Sequence, residues 1–178
     1  MGTKSSASTT LSEHLRDMLI DLHQQPPYPH IPNPPHCKKR ASVAAIIRVR
    51  SSHSGRPGQH VARKKPGSST KEQLEDFLSQ DWVKHGDPEL LCIKRAPRVG
   101  DRWTGHVALP GGKRDPEDPE DVAVAIRETR EEVGLDISSE CAICVHNLPE
   151  RVITTSWGSV PYVCYSYDTM YHTDSLLN

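Results

Sequence analysis

The chain has 178 residues, room for one domain with appendages, and its 35% hydrophobic and 5% aromatic content with 15 prolines leaves part of it outside any core. A net charge of −1 gives no basis for binding a nucleic-acid polymer, and no apolar run approaches the roughly 20 residues needed to cross a bilayer. Five cysteines, an odd number without a secretory signal, argue against a disulfide framework and for a reducing, cytoplasmic setting.

In chain order, Met1-Gly2-Thr3-Lys4-Ser5-Ser6 fits both a loose N-myristoylation pattern and an ordinary Ser-rich start. Thr10 to Glu13 opens a predicted helix to about residue 22, with Leu15, Met18, Leu19 and Leu22 on one stripe. Residues 26–38 are too proline-rich for a helix or central strand and read as an extended linker. Residues 1–38 are therefore expected to be separable from a domain over 39–178. Residues 41–49 form the first predicted strand, and 51–69 a basic, polar insertion. Thr70 caps a predicted helix through residue 78, and Pro88 precedes a strand over 89–94. A basic loop over 95–105 leads to a short strand at 106–109 and then Pro110-Gly111-Gly112. Further strands are expected at 142–146, 152–155 and 160–167. Strands around one well-defined helix imply an α+β domain. Cys141-Ala142-Ile143-Cys144 has no partner pair at zinc-ligand spacing and reads as ordinary strand cysteines.

The helix after the glycines is the most informative stretch. Asp118 is the expected N-cap, Pro119 the first helical residue and Gly134 the C-terminal glycine. Val122, Ala125, Ile126, Thr129 and Val133 fall in one sector, the expected buried face. Glu128, Glu131 and Glu132 crowd another sector with no lysines interleaved at i+4. Such a face is either simply solvated or a set of oxygen ligands for a hard divalent cation. The flanking sequence favours the second reading. Pro110-Gly111-Gly112 allows close backbone approach. Lys113 and Arg114 follow it, and Arg95, Arg98 and Arg102 precede it as candidate partners for phosphate oxygens.

Arg127-Glu128-Thr129-Arg130-Glu131-Glu132-Val133-Gly134-Leu135 resembles the second half of the Nudix pattern, G-x5-E-x7-R-E-U-x-E-E-x-G-U, where U is bulky and apolar. Thr129 fills an apolar slot, Gly112 lies one residue further upstream than the pattern places it, and Asp118 takes the place of the first glutamate. With its P-G-G-K-R-D-P run and longer spacing, the segment is similar to the coenzyme A diphosphatase branch and its fungal relatives, with Leu109 in place of a phenylalanine.

The resemblance implies an α/β/α sandwich with a mixed sheet and a catalytic loop-helix-loop. It implies Mg²⁺ or Mn²⁺ held by Glu131, Glu132 and Glu128 with the carbonyl of Gly112, and Glu128 is alternatively the base for water. Arg127 would orient the glutamates, with Arg95, Arg98, Arg102 and Lys113 binding substrate. The implied reaction is hydrolysis of a diphosphate linkage in a small molecule, coenzyme A or a derivative. Hydrolysis of oxidised nucleoside triphosphates is the alternative enzyme reading. Only 44 residues (178 − 134) follow Gly134, fewer than such domains usually carry. A C-terminally shortened, inactive binding module is therefore the alternative outside enzymes. Glu140, Glu150 and Asp168 are the candidates for a further acidic ligand or base.

Overall fold

The computed structural model describes residues 10–33, 35, 40–51, 65–100, 104–155, 158–162 and 167–171. Its elements are α1 (Leu11–His23), β1 (Ala41–Val43), β2 (Ile46–Arg50), α2 (Thr70–Ser79), α3 (Asp81–Lys84), β3 (Asp87–Leu90) and β4 (Ile93–Lys94). These are followed by β5 (Val107–Ala108), β6 (Gly111–Lys113), α4 (Asp121–Val133), β7 (Ala142–Asn147), β8 (Arg151–Thr155), β9 (Gly158–Tyr162) and β10 (Tyr167–Tyr171).

The central sheet has the order β3-β2-β10-β7. It is mixed, since β10 runs parallel to β2 and antiparallel to β7. Side chains alternate across a strand, and that alternation builds two cores. Ile47 and Val49 of β2 and Ile143 and Val145 of β7 pack against Leu15 and Leu19 of α1, Leu74, Phe77 and Leu78 of α2, and Trp82 and Val83 of α3. Ile46 and Ala142, one residue out of phase, pack with Ala125 of α4, Leu135 and Ile137. Helices thus cover both faces, and the expected α/β/α sandwich is what forms.

Several local expectations are corrected. Residues 41–49 are not one strand. β1 pairs with β6 and β2 joins the central sheet, with the chain leaving the ladder at Ala44 and Ala45. The strand expected over 89–94 is likewise two, and Pro88 lies inside the first, opposite Val49. That strand is an edge, where a residue without an N–H is tolerated. Ser69, not Thr70, caps α2, closing a capping box with Glu72. Of the polar insertion, residues 52–64 lie outside the described residues.

The N-terminal helix forms as expected, capped by Thr10 and Glu13. It is packed onto the domain, with Leu15 and Leu19 in the core. Ser12 Oγ donates to the carbonyl of Gly86 (2.6 Å), and His23 Nδ1 lies 3.2 Å from the Val145 carbonyl. The proline-rich segment after it is also tied down, because the Ile31 N–H donates to Glu150 (2.6 Å). Such prolines preclude a strand but not side-chain capture of the remaining peptide groups.

Candidate active site

α4 seats the carboxylates. It starts at Asp121, with Glu120 in the cap position and no side-chain cap bond. Asp118, expected as the cap, instead receives Arg127 through a two-point pair, from Nε at 3.1 Å and from Nη2 at 2.9 Å. The buried face is also rotated from the expected one. Asp121, Val124, Ala125 and Thr129 are buried, while Val122, Ile126 and Val133 are only half-buried. Asp121 lies on the buried face, its carboxylate held by Arg40 (2.7 Å) and Arg114 (3.1 Å). This rotation brings Glu128 to the flank of the core and leaves Glu131 and Glu132 exposed.

Arg127 organises the group. Beyond Asp118, its Nη1 donates to Glu128 Oε1 (3.0 Å) and Glu131 Oε2 (3.4 Å), and its Nη2 to the Lys113 carbonyl (3.0 Å). The hydrogen bonds from Arg127 hold Asp118 below the usual carboxylate range, and the same bond raises Arg127 further. Burial pushes Glu128 up; Arg127 opposes this, and the charges of Glu132 and Glu131 add to it. A carboxyl that is desolvated and crowded by like charges is relieved by a cation or by a proton.

The glycines fit against this helix for two different reasons. A Cβ on Gly112 would stand 2.3 Å from the carboxyl carbon of Glu128, so only glycine lets that carboxyl rest on the strand. Gly111 takes φ +149, and a Cβ there would meet the Ser42 carbonyl oxygen at 2.2 Å. The antiparallel ladder decides which peptide groups face α4. Arg114 N–H donates to the Arg40 carbonyl (2.9 Å) and Ala44 N–H to the Pro110 carbonyl (2.8 Å). With Ser42 opposite Gly112, alternation turns the Gly112 peptide groups toward β1 and those of Gly111 outward. The Gly111 N–H accordingly donates to Glu132 Oε2 (2.9 Å). By the same alternation the Gly111 carbonyl, rather than that of Gly112, turns away from β1.

Arg95 and Arg98 stand on the β4–β5 hairpin that feeds directly into Gly111; Arg102 lies outside the described residues. Lys113 is exposed at the end of β6. Arg114 is committed elsewhere, to Asp121 and to the carbonyls of Asp118 and Pro119.

A second charged group was not legible in the sequence. Arg40, Asp121 and Glu150 are all buried, and Arg40 donates to Asp121 Oδ2 (2.7 Å), Glu150 Oε2 (3.1 Å), the Ile31 carbonyl (2.9 Å) and Asn33 Oδ1 (2.7 Å). Burial pulls Arg40 down, but the hydrogen bonds it donates to Asp121 and Glu150 outweigh it and leave it raised. His30, Asp121 and Glu150 bring ligand atoms within 4.8 Å of one another. The two carboxylates of that grouping are already paired with the guanidinium groups of Arg40 and Arg114, which disfavours a cation there. Glu150, one of the candidates for a further acidic ligand, is engaged by Arg40 and the Ile31 N–H. The glutamates of α4 form no such closed group. Glu131 and Glu132 are exposed, and with Glu128 they offer the hard oxygen donors that Mg²⁺ or Mn²⁺ takes.

Residues 82–173 match the family model described as the NUDIX domain. The chain belongs to the Nudix family. This Nudix chain is 39% identical over 139 residues to an uncharacterized protein of Schizosaccharomyces pombe, an alignment covering 76% of the chain and 35% of that protein. It is 49% identical over 55 residues to the mitochondrial coenzyme A diphosphatase NUDT8 of Homo sapiens, covering 31% of the chain and 23% of that enzyme. Over 34 residues it is 62% identical to the peroxisomal coenzyme A diphosphatase NUDT7 of Mus musculus, covering 19% of the chain and 14% of that enzyme. In each case the chain spans about a third or less of the relative's own length. Nudix hydrolases generally use divalent metals, and the donor set on α4 agrees with that. Among the described residues no helix is long and apolar enough to cross a membrane.

Proposed function

We propose that the chain is a divalent-metal-dependent diphosphatase acting on coenzyme A or its derivatives. The observation that carries the reaction class is the carboxylate excess on α4, placed against the outward peptide groups of Gly111. Glu131, Glu132 and the Gly111 carbonyl would hold Mg²⁺ or Mn²⁺, with Glu128 either a further ligand or the base for water. Such an ion neutralises charge on the diphosphate and acidifies water. Arg127 fixes Glu128 through Oε1, leaving Oε2 to take the proton as water attacks phosphorus and the bridging P–O bond breaks. Lys113, Arg95, Arg98 and Arg102 are the cations for the remaining phosphate oxygens. Support for coenzyme A comes from the longer Pro110-to-Arg127 spacing and from the short, local identity with two coenzyme A diphosphatases. Coenzyme A also carries a 3′-phosphate, which needs positive charge beyond the metal site.

With Mg²⁺ and coenzyme A, mass spectrometry is expected to find phosphopantetheine and adenosine bisphosphate, and chelation by EDTA to stop their formation. Dephospho-coenzyme A should have a lower kcat/KM, and Arg98→Ala or Arg102→Ala should shrink that difference. Rapid hydrolysis of an oxidised guanosine triphosphate with coenzyme A untouched would replace the substrate while leaving the metal chemistry standing.

A further inference from the structure

We infer that Arg40 is a positioning residue for the carboxylate site, acting through Asp121; this rests on α4 being the metal-binding helix. Arg40 precedes β1, and its carbonyl accepts from Arg114 N–H (2.9 Å), extending the β1–β6 ladder that carries Gly111 and Gly112. Its Nε donates to Asp121 Oδ2 (2.7 Å) in the first turn of α4. One residue therefore grips both walls of the site, the glycine strand through its backbone and the glutamate helix through its side chain.

The grip is propagated. Asp121 Oδ1 accepts from Arg114 (3.1 Å), and Arg114 also holds the carbonyls of Asp118 (3.1 Å) and Pro119 (2.9 Å). Asp118 in turn pairs with Arg127, and Arg127 with Glu128. Glu128 lies about 10 Å along the helix from Asp121, at 1.5 Å per residue. A tilt of the first turn consequently moves Glu128 off Gly112 and Glu132 off the Gly111 N–H. The remaining guanidinium donors reach Ile31, Asn33 and Glu150, so the fork cannot rotate away from Asp121. Lysine keeps the charge but not the fork.

The test is Mn²⁺ binding to the full chain, read by electron paramagnetic resonance at a temperature where near-ultraviolet circular dichroism shows each variant folded. Arg40→Lys is expected to weaken Mn²⁺ about tenfold, the usual range for a residue behind a metal ligand, and to lower kcat with KM for the diphosphate unchanged. Asp121→Asn should do the same, and the double variant should be no worse than the worse single one. Arg48→Met, which breaks the unrelated Arg48–Glu89 pair (2.7 Å), should leave the Mn²⁺ Kd unchanged. If Arg40→Lys does not fold, Asp121→Asn is read in its place. Folded Arg40 or Asp121 variants that bind Mn²⁺ as tightly as the parent would overturn the positioning role alone. A parent chain that binds no Mn²⁺ would overturn the metal reading of α4, and the positioning role with it.

Discussion

Two groups of carboxylates gather around one helix and are settled in opposite ways. Near the first turn, Asp121 and Glu150 meet Arg40 and Arg114, two anions to two cations, with side chains of Arg40, Asp121 and Glu150 only 7%, 3% and 6% exposed. Two turns on, Glu128 and Glu131 share the single guanidinium of Arg127 with Asp118 and Asp115, and among the described residues Glu132 has only the Gly111 N–H beside it. The first group is matched, closed and dry. The second is left with excess negative charge, and Glu131 is 60% exposed. Burying matched charge fixes geometry, though at a desolvation cost that makes it weak evidence for stability. Leaving charge unmatched near a glycine turn makes a place for a cation. The more closely assembled set of ligand atoms is thus the structural one, and the looser set is the candidate for chemistry.

The largest way to break this contrast is to remove the N-terminal region. A shortened chain beginning at Lys39 loses Leu15 and Leu19 from the core and takes Ile31 and Asn33 from Arg40. Each buried leucine is worth about 2–3 kcal/mol, so the two alone represent roughly 5 kcal/mol, comparable to the whole stability of a marginal domain. Urea denaturation followed by circular dichroism should show the shortened chain largely unfolded or strongly destabilised. An unchanged midpoint would instead support the domain boundary at residue 39 expected from composition.

What sequence revealed and what it concealed divides along the same line. α4, its three glutamates and Gly134 were legible because helix periodicity and capping are local. Arg40–Asp121 and Arg40–Glu150 were not, since they join residues 81 and 110 positions apart. Nothing local distinguishes a buried arginine from an exposed one. The burial of Asp121 on α4 goes with those distant pairs, which no local periodicity encodes. The choice between Gly111 and Gly112 depends on the register with β1, which a glycine pair alone does not encode.

A pair of charge-removing substitutions sharpens the contrast. Glu150→Gln leaves Arg40 undercompensated in a buried place and should cost about 3 kcal/mol of folding stability, near the low end for breaking a buried pair. Glu132→Gln keeps an oxygen for the Gly111 N–H and should leave the unfolding midpoint close to that of the parent. It removes a metal charge, though, and several kcal/mol of transition-state stabilisation depend on the ion. About 3 kcal/mol corresponds to roughly a hundredfold in kcat. Glu131→Gln should behave like Glu132→Gln. Full turnover by either at saturating Mg²⁺ would put the metal ligands somewhere other than α4.

The smallest effect is expected at Thr129, on the buried side of the second group. It is fully buried, in the slot where the family pattern places a bulky apolar residue, and its hydroxyl has no hydrogen-bond partner among the described residues. A buried, unpaired hydroxyl carries a desolvation penalty of about 1–3 kcal/mol. Valine has nearly the same shape and the same β-branched rotamer preference in a helix. Thr129→Val should therefore stabilise the chain by about 1 kcal/mol, a rise of roughly 2–4 °C in Tm for a domain of this size. Since Thr129 donates to none of the glutamates, kcat should not change. A fall in Tm would mean that the hydroxyl has a partner in solution, such as an ordered water. A fall in kcat without a change in Tm would mean that Thr129 works with Glu128, its neighbour on the helix, and the unmatched group would then extend one residue into the core.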